Sequence, residues 1–167
     1  MPMGQERLHQ AVETLRRRPG HSNVMGLVRE LCVVGLDIPD NEVNFEIPVP
    51  EVRGRIDAVF GATVFEFKRD LRTERADAEE QLLRYLGDRE RATGQRYLGI
   101  ATDGAAFVAY QLAQGRLVAL GEIAPNPTDP RALLRWLDTA VTVRADIPPT
   151  AERIREEFGR DGLVVKF

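Results

Sequence analysis

The segment from Gly54 to Lys68 constrains this chain more than any other, because its residue types dictate both a local shape and two chemically different faces. It runs Gly54-Arg55-Ile56-Asp57-Ala58-Val59-Phe60, breaks at Gly61-Ala62, and resumes as Thr63-Val64-Phe65-Glu66-Phe67-Lys68. Two β-rich runs around a glycine-containing break predict an antiparallel hairpin. Glycine at the first of two central loop positions suits a type II′ turn, which pairs Phe60 with Thr63 and, stepping outward, Asp57 with Glu66. Side chains alternate along a strand, so Ile56, Ala58, Phe60, Thr63, Phe65 and Phe67 share a face expected to enter a core. Arg55, Asp57, Val59, Val64, Glu66 and Lys68 share the other. Asp57 and Glu66 then stand opposite each other, and directly opposed like charges destabilise a sheet. A divalent cation between them removes the repulsion; hard cations such as Mg²⁺ take carboxylate, water and phosphate oxygens. The plain alternative is a solvated face on which Arg55 and Lys68 neutralise the two carboxylates.

Lys68 points to chemistry on other grounds. All but two of the 23 Lys and Arg positions are arginine, and one exception closes Glu66-Phe67-Lys68. Arg is a planar fork, whereas Lys is a compact ammonium on a flexible stem that can approach a single oxygen in a tight site. Downstream, residues 73–92 have helical composition, with Leu82, Leu83 and Leu86 as the apolar stripe, a start signal over 77–80 and a stop at Gly94. Gln81 and Tyr85 lie four apart and therefore on one helical face. A helix packed over the charged end of the hairpin brings both within reach of the carboxylates or a bound phosphate; a helix flank is the bland reading of the same spacing.

Taken together, Gly54 and Asp57, Glu66 and Lys68, and Gln81 and Tyr85 follow the order G-x-x-D, (D/E)-x-K, Q-x-x-x-Y. This pattern resembles the PD-(D/E)xK nuclease superfamily, in particular its RecB-like branch. The stretch Gly99-Ile100-Ala101-Thr102-Asp103-Gly104, followed by Phe107 and Tyr110, resembles the N-terminal nuclease domain of restriction enzymes fused to DNA methyltransferases. The resemblance spans roughly residues 22–125. It implies an α/β fold with a restriction-endonuclease-like central mixed β-sheet flanked by helices, and Mg²⁺-dependent cleavage of DNA, with Mn²⁺ as an alternative ion. Asp57 and Glu66 become the implied metal ligands and the backbone carbonyl of Phe67 a third. Lys68, Gln81 and Tyr85 complete the implied catalytic set. Related domains carry a metal-associated Glu on the helix before the first strand, where this chain has Asn23. Glu30, ahead of Glu46, is the acidic substitute, with a solvated helix Glu as the alternative.

A formal net charge of -3 is not the basic footprint usual for nucleic-acid binding, so phosphate contacts are assigned locally. The candidates are Arg53, Arg55, Arg69, Arg72 and Arg75 around the site, and the Arg16-Arg17-Arg18 run. Cys32 is the only cysteine, which excludes an internal disulfide and suggests a buried thiol. His9 and His21 are isolated, so zinc is not expected. Nor is ATP use, since no phosphate-cradling Gly-rich loop is present. Absence of a signal, membrane-spanning or lipidation motif points to the cytoplasm and to no membrane partner.

At 167 residues with 43% apolar content the chain suits one domain with a sizeable core. The expected organisation is an N-terminal helix within 1–21, a nuclease-like domain over 22–145, and a helix and tail over 146–167. Within it we expect helices over 5–17, from 22 to about 34, over 131–141 around a core Trp136, and over 151–158. Strands are expected over 43–49, 96–101, 105–112 and 116–123, with Asp103-Gly104 as a tight turn. No cofactor-binding or target-adenine motif of a methyltransferase follows, so the chain is expected to be the N-terminal piece of a larger protein. Its partners are then DNA and a methyltransferase and target-recognition region in the same or another polypeptide. The reading from a different class is a catalytically silent DNA-binding or interaction module on the same fold, since function belongs to the site rather than the fold.

Overall fold

The computed structural model describes residues 3–38, 43–49, 54–60 and 62–141, and within 43–49 and 54–60 the backbone alone. The first helix, α1 (Gln5–Arg16), buries Leu8, Ala11, Val12 and Leu15, a one-sided stripe at helical spacing. Gly20, at φ 103°, caps α2 (His21–Glu30). The helix expected from residue 22 to about residue 34 forms over residues 21–35, though not as an α-helix throughout. After Glu30 the backbone widens into a π-helical turn, Leu31–Gly35. The run Leu31-Cys32-Val33-Val34 is apolar throughout, so it carries no periodicity that could separate the two geometries.

Six strands follow, hydrogen-bonded in chain order: β1 (Val43–Val49), β2 (Gly54–Phe60), β3 (Thr63–Phe67), β4 (Leu98–Thr102), β5 (Phe107–Ala113) and β6 (Arg116–Ile123). All neighbours are antiparallel except β3 and β4, which run parallel. A parallel pair needs a long crossover, and α3 (Leu71–Thr93) supplies it. The last described helix is α4 (Arg131–Val141). The result is a mixed α/β architecture with helices on both faces of the sheet. The helix expected over 151–158 lies outside the described residues.

Each face has its own core. Phe65 and Phe67 of β3, with Leu98, Ile100, Phe107, Ala109 and Leu120, meet α1, α2 and α4, and Trp136 is fully buried among them. On the opposite face Val64, Ala101, Val108 and Tyr110 meet Leu71, Ala78, Leu82, Tyr85 and Leu86 of α3. The alternation expected of residues 63–67 therefore holds, and β3 and β4 are buried along their whole length, as strands covered on both sides must be. The helical stripe needs correction: Leu83 is 38% exposed, while Leu71, Ala78 and Tyr85 join Leu82 and Leu86 inside. Desolvation in the first core pushes the Cys32 thiol up to about 12.

Asp103-Gly104 is not a two-residue hairpin loop. The closing pair is Thr102 with Phe107, so the dipeptide opens a four-residue connection. Asp103 Oδ1 accepts from Ala105 N at 2.9 Å and Ala106 N at 3.0 Å. Gly104 has φ 93°, and a Cβ there would lie 2.6 Å from the Leu15 carbonyl oxygen. Only glycine fits that approach.

Candidate functional site around Lys68

Lys68 follows the last residue of β3, and its backbone N–H donates to the Thr102 carbonyl at 2.9 Å. The strand is thereby pinned to β4 where the chain turns toward α3. The ammonium contacts Asp77 Oδ2 at 2.5 Å, Gln81 Oε1 at 3.0 Å and Glu66 Oε1 at 3.2 Å. Burial pulls the Lys68 pKa down, but the hydrogen bond it donates to Asp77 and the charge of Glu66 outweigh it, so the net value is raised. Glu66 itself is only 4% exposed. A carboxylate so deeply placed is costly without compensation, and Lys68 compensates part of it.

Lys68, Gln81 and Glu66 border a cavity of about 430 Å³. Of the five side chains expected to act, Glu66, Lys68, Gln81 and Tyr85 all line it, as does Phe67. Asp57 is on β2, whose register with β3 is Ala58–Phe65, Val59–Val64 and Phe60–Thr63. Continued by one step, that antiparallel register sets the backbone of Asp57 level with Glu66. Its side chain lies outside what the structure describes, as do those of Arg55 and Glu46, Gly61 of the expected turn, and the whole of Arg53.

The remaining candidates scatter. Arg69 lines the cavity. Arg72 instead folds back on Asp70, with Nη2 to Oδ2 at 2.8 Å, and Arg75 reaches Glu122 at 3.4 Å. Arg17 pairs with Glu13, and Arg18 donates to Asp103 Oδ2 at 2.8 Å. Glu30 is held by Arg7 through contacts of 2.6 and 2.5 Å and does not border the cavity.

Sequence reasoning passed over three groups at the site. In the sequence Asp77 reads only as part of a helix start; its place four residues before Gln81 is the available signal. His21, the first residue of α2, lines the cavity and sets its ring edge-on to Phe67 at 5.9 Å. Glu74 lines it too, and its Oε1 accepts from the Asp70 backbone N–H at 3.0 Å. Asp70 in turn caps α3 by accepting from Arg72 N, and the Arg72 guanidinium holds its carboxyl down at about 2. Asp103 completes this end of the helix, accepting from Leu71 N at 2.8 Å.

Glu66 is a hard oxygen donor at the cavity, and Asp57 is level with it in register. That donor chemistry fits Mg²⁺, which takes one or two carboxylates with water and phosphate. Among the described side chains, no group of three or more His, Cys, Asp or Glu could hold a metal. Among the described residues no helix is long and apolar enough to cross a membrane.

Compared with known proteins, the chain matches no family model, no curated protein and no solved structure. Fold and site together define a mixed α/β domain with a buried Glu paired to a half-buried Lys at the end of a central strand. Gln81 of the crossover helix meets the lysine, and Tyr85 of the same helix lines the same cavity.

Proposed function

We propose that this chain is a metal-dependent DNA endonuclease domain of the PD-(D/E)xK type, with a restriction-endonuclease-like fold. In this reading it belongs to a restriction-modification enzyme and works beside a methyltransferase and target-recognition region. The observation that carries the reading is the convergence of Glu66, Lys68, Gln81 and Tyr85, from a strand end and a helix, on one cavity. A solvated charged strand gives no reason for a Gln from another element to meet its lysine and for a Tyr of the same helix to line the same cavity.

Glu66 and Asp57, with the Phe67 carbonyl, would hold Mg²⁺ or Mn²⁺. When bound, such an ion supplies a Lewis acid that polarises the phosphate and lowers the pKa of an attacking water. Lys68 orients that water or stabilises charge on the phosphorane. Gln81 holds the lysine through its 3.0 Å contact, and Tyr85, buried between α3 and the sheet, walls the cavity. Arg69 is placed for a phosphate contact, which positions DNA without reading its sequence.

The test is Mg²⁺-dependent nicking of supercoiled DNA by the wild type, Lys68→Arg and Lys68→Ala. Both variants should lose about 100-fold or more in rate, the range for a positioned group at the reacting centre. Lys68→Arg fails although it keeps the charge, because the wider planar guanidinium cannot take the same point. Cleavage that persists in Lys68→Arg removes the lysine from the mechanism. Wild type that binds DNA but cleaves none, alone or in its full-length context, favours a catalytically silent binding module instead.

A further inference from the structure

We infer that Asp77 is a positioning residue for Lys68, extending the Gln81 and Tyr85 stripe of α3 by one helical turn. Residues 77, 81 and 85 are spaced i, i+4, i+8 and so lie along one face. Asp77 and Gln81 both reach the same ammonium, and they also reach each other, with Gln81 Nε2 at 3.5 Å from Asp77 Oδ2. An ammonium has three hydrogens to donate. Two of them are taken from the α3 side, and the third faces Glu66 at 3.2 Å. Two anchors on a rigid helix thus leave a single direction for the remaining hydrogen, toward the carboxylate end of the cavity.

Gln81 alone would not achieve this. A lysine stem has many rotamers, and one neutral acceptor at 3.0 Å leaves the ammonium free to swing about that contact. The Asp77 contact is shorter and charge-assisted, the stronger kind of hydrogen bond. Its geometry also separates positioning from folding. The Lys68 side chain is 10% exposed, whereas that of Asp77 is 56% exposed, and a carboxylate so open to solvent contributes little to stability. Removing it should loosen the lysine without unfolding the domain.

The effect on rate rests on the nuclease reading above; the clamp on Lys68 does not. Two measurements keep them distinct. The chain has two lysines, Lys68 and Lys166, so ¹³Cε labelling of lysine gives two side-chain signals, assigned with Lys166→Arg. In metal-free wild type, Lys68 should show two resolved ε-proton shifts and the relaxation of an immobilised group. In Asp77→Ala those shifts should merge and the relaxation should become that of a mobile chain. Nicking kinetics should then show kcat lowered about tenfold or more with KM nearly unchanged, the signature of lost alignment rather than lost binding. Asp77→Glu, which keeps the carboxylate, should recover most of the rate and the resolved shifts.

Thermal unfolding checks that each variant is folded, and Asp77→Asn replaces Asp77→Ala if the latter is not. An unchanged Lys68 signal in the variant overturns the inference. So does a loosened lysine with undiminished kcat. A loosened lysine in a protein whose wild type cleaves no DNA supports the clamp and overturns the nuclease reading instead.

Discussion

Asp103 has no exposed surface, yet it is the acceptor for four hydrogen bonds from three parts of the chain. Arg18 Nε and Leu71 N share Oδ2 at 2.8 Å, and Ala105 N and Ala106 N share Oδ1. One carboxylate therefore fixes the exit of α1, the first turn of α3 and the β4–β5 connection. Arg18 has φ 52° just past the C-cap of α1, a left-handed conformation that commonly ends a helix. Removing one member of a buried charged network leaves its partners unmet and desolvated. Asp103→Ala should cost about 3 kcal/mol or more in urea unfolding. Asp103→Asn, which keeps one oxygen but turns an amide N–H₂ toward Arg18 or the backbone donors, should cost about 2 kcal/mol. A loss under about 1 kcal/mol for Asp103→Ala would show that water replaces the carboxylate cheaply. In that case Asp103 is not what holds α3 in place.

At the scale of elements, the site depends on how closely α3 lies on the sheet, and Gly99 sets that distance. A Cβ at position 99 would stand 3.1 Å from Leu86 Cδ1 and 3.2 Å from Leu82 Cδ2. Both neighbours are far ends of side chains, so Gly99→Ala should fold, at a cost of about 1–2 kcal/mol from overpacking. Lifting α3 would draw Gln81 from Lys68, and under the proposed nuclease function cleavage should fall with stability. Adding Leu86→Val, which returns volume, should restore part of both. Full additivity of the two losses would deny that they share this contact.

The same helix shows what the sequence discloses. Its end at Thr93, against an expected 92, was legible because Gly94 is a local stop signal, whereas the start signal read over 77–80 lies inside the helix, which is capped by Asp70 and begins at Leu71. Gln81 and Tyr85 were legible from spacing alone. The exposure of Leu83 was not, because Leu82 and Leu83 both fit an apolar stripe with Leu86, and the choice is made by where β4 and β5 lie. Asp103 and His21 were hidden for the same reason: Arg18 and Asp103 are 85 residues apart in sequence. Such contacts exist only once the sheet order is known. Asp77 stood in plain view at helical spacing, and only its partner was missing.

For the whole molecule the governing quantity is how charge is arranged around a sheet whose central strands β3 and β4 are buried on both faces. Net charge is -3, and Arg72 and Arg75 are already paired with acidic neighbours, so the field at the cavity is not strongly positive. Glu66 is compensated there by Lys68, and Asp57 is level with Glu66 in register. A divalent cation bound in this setting stabilises the native state against global unfolding according to its occupancy. At free Mg²⁺ about ten times its dissociation constant the gain is roughly 1.4 kcal/mol, a rise of about 3–6 °C in melting temperature for a domain of this size. Glu66→Gln and Asp57→Asn should each abolish that rise. Lys68→Ala should keep it, since both carboxylates remain and the ammonium no longer competes for Glu66. Differential scanning fluorimetry with and without EDTA decides the matter at metal concentrations that leave ionic strength constant. An equal rise in wild type and both carboxylate variants would place the cation elsewhere, and the charged end of β3 would then be a lysine-neutralised surface rather than a metal centre.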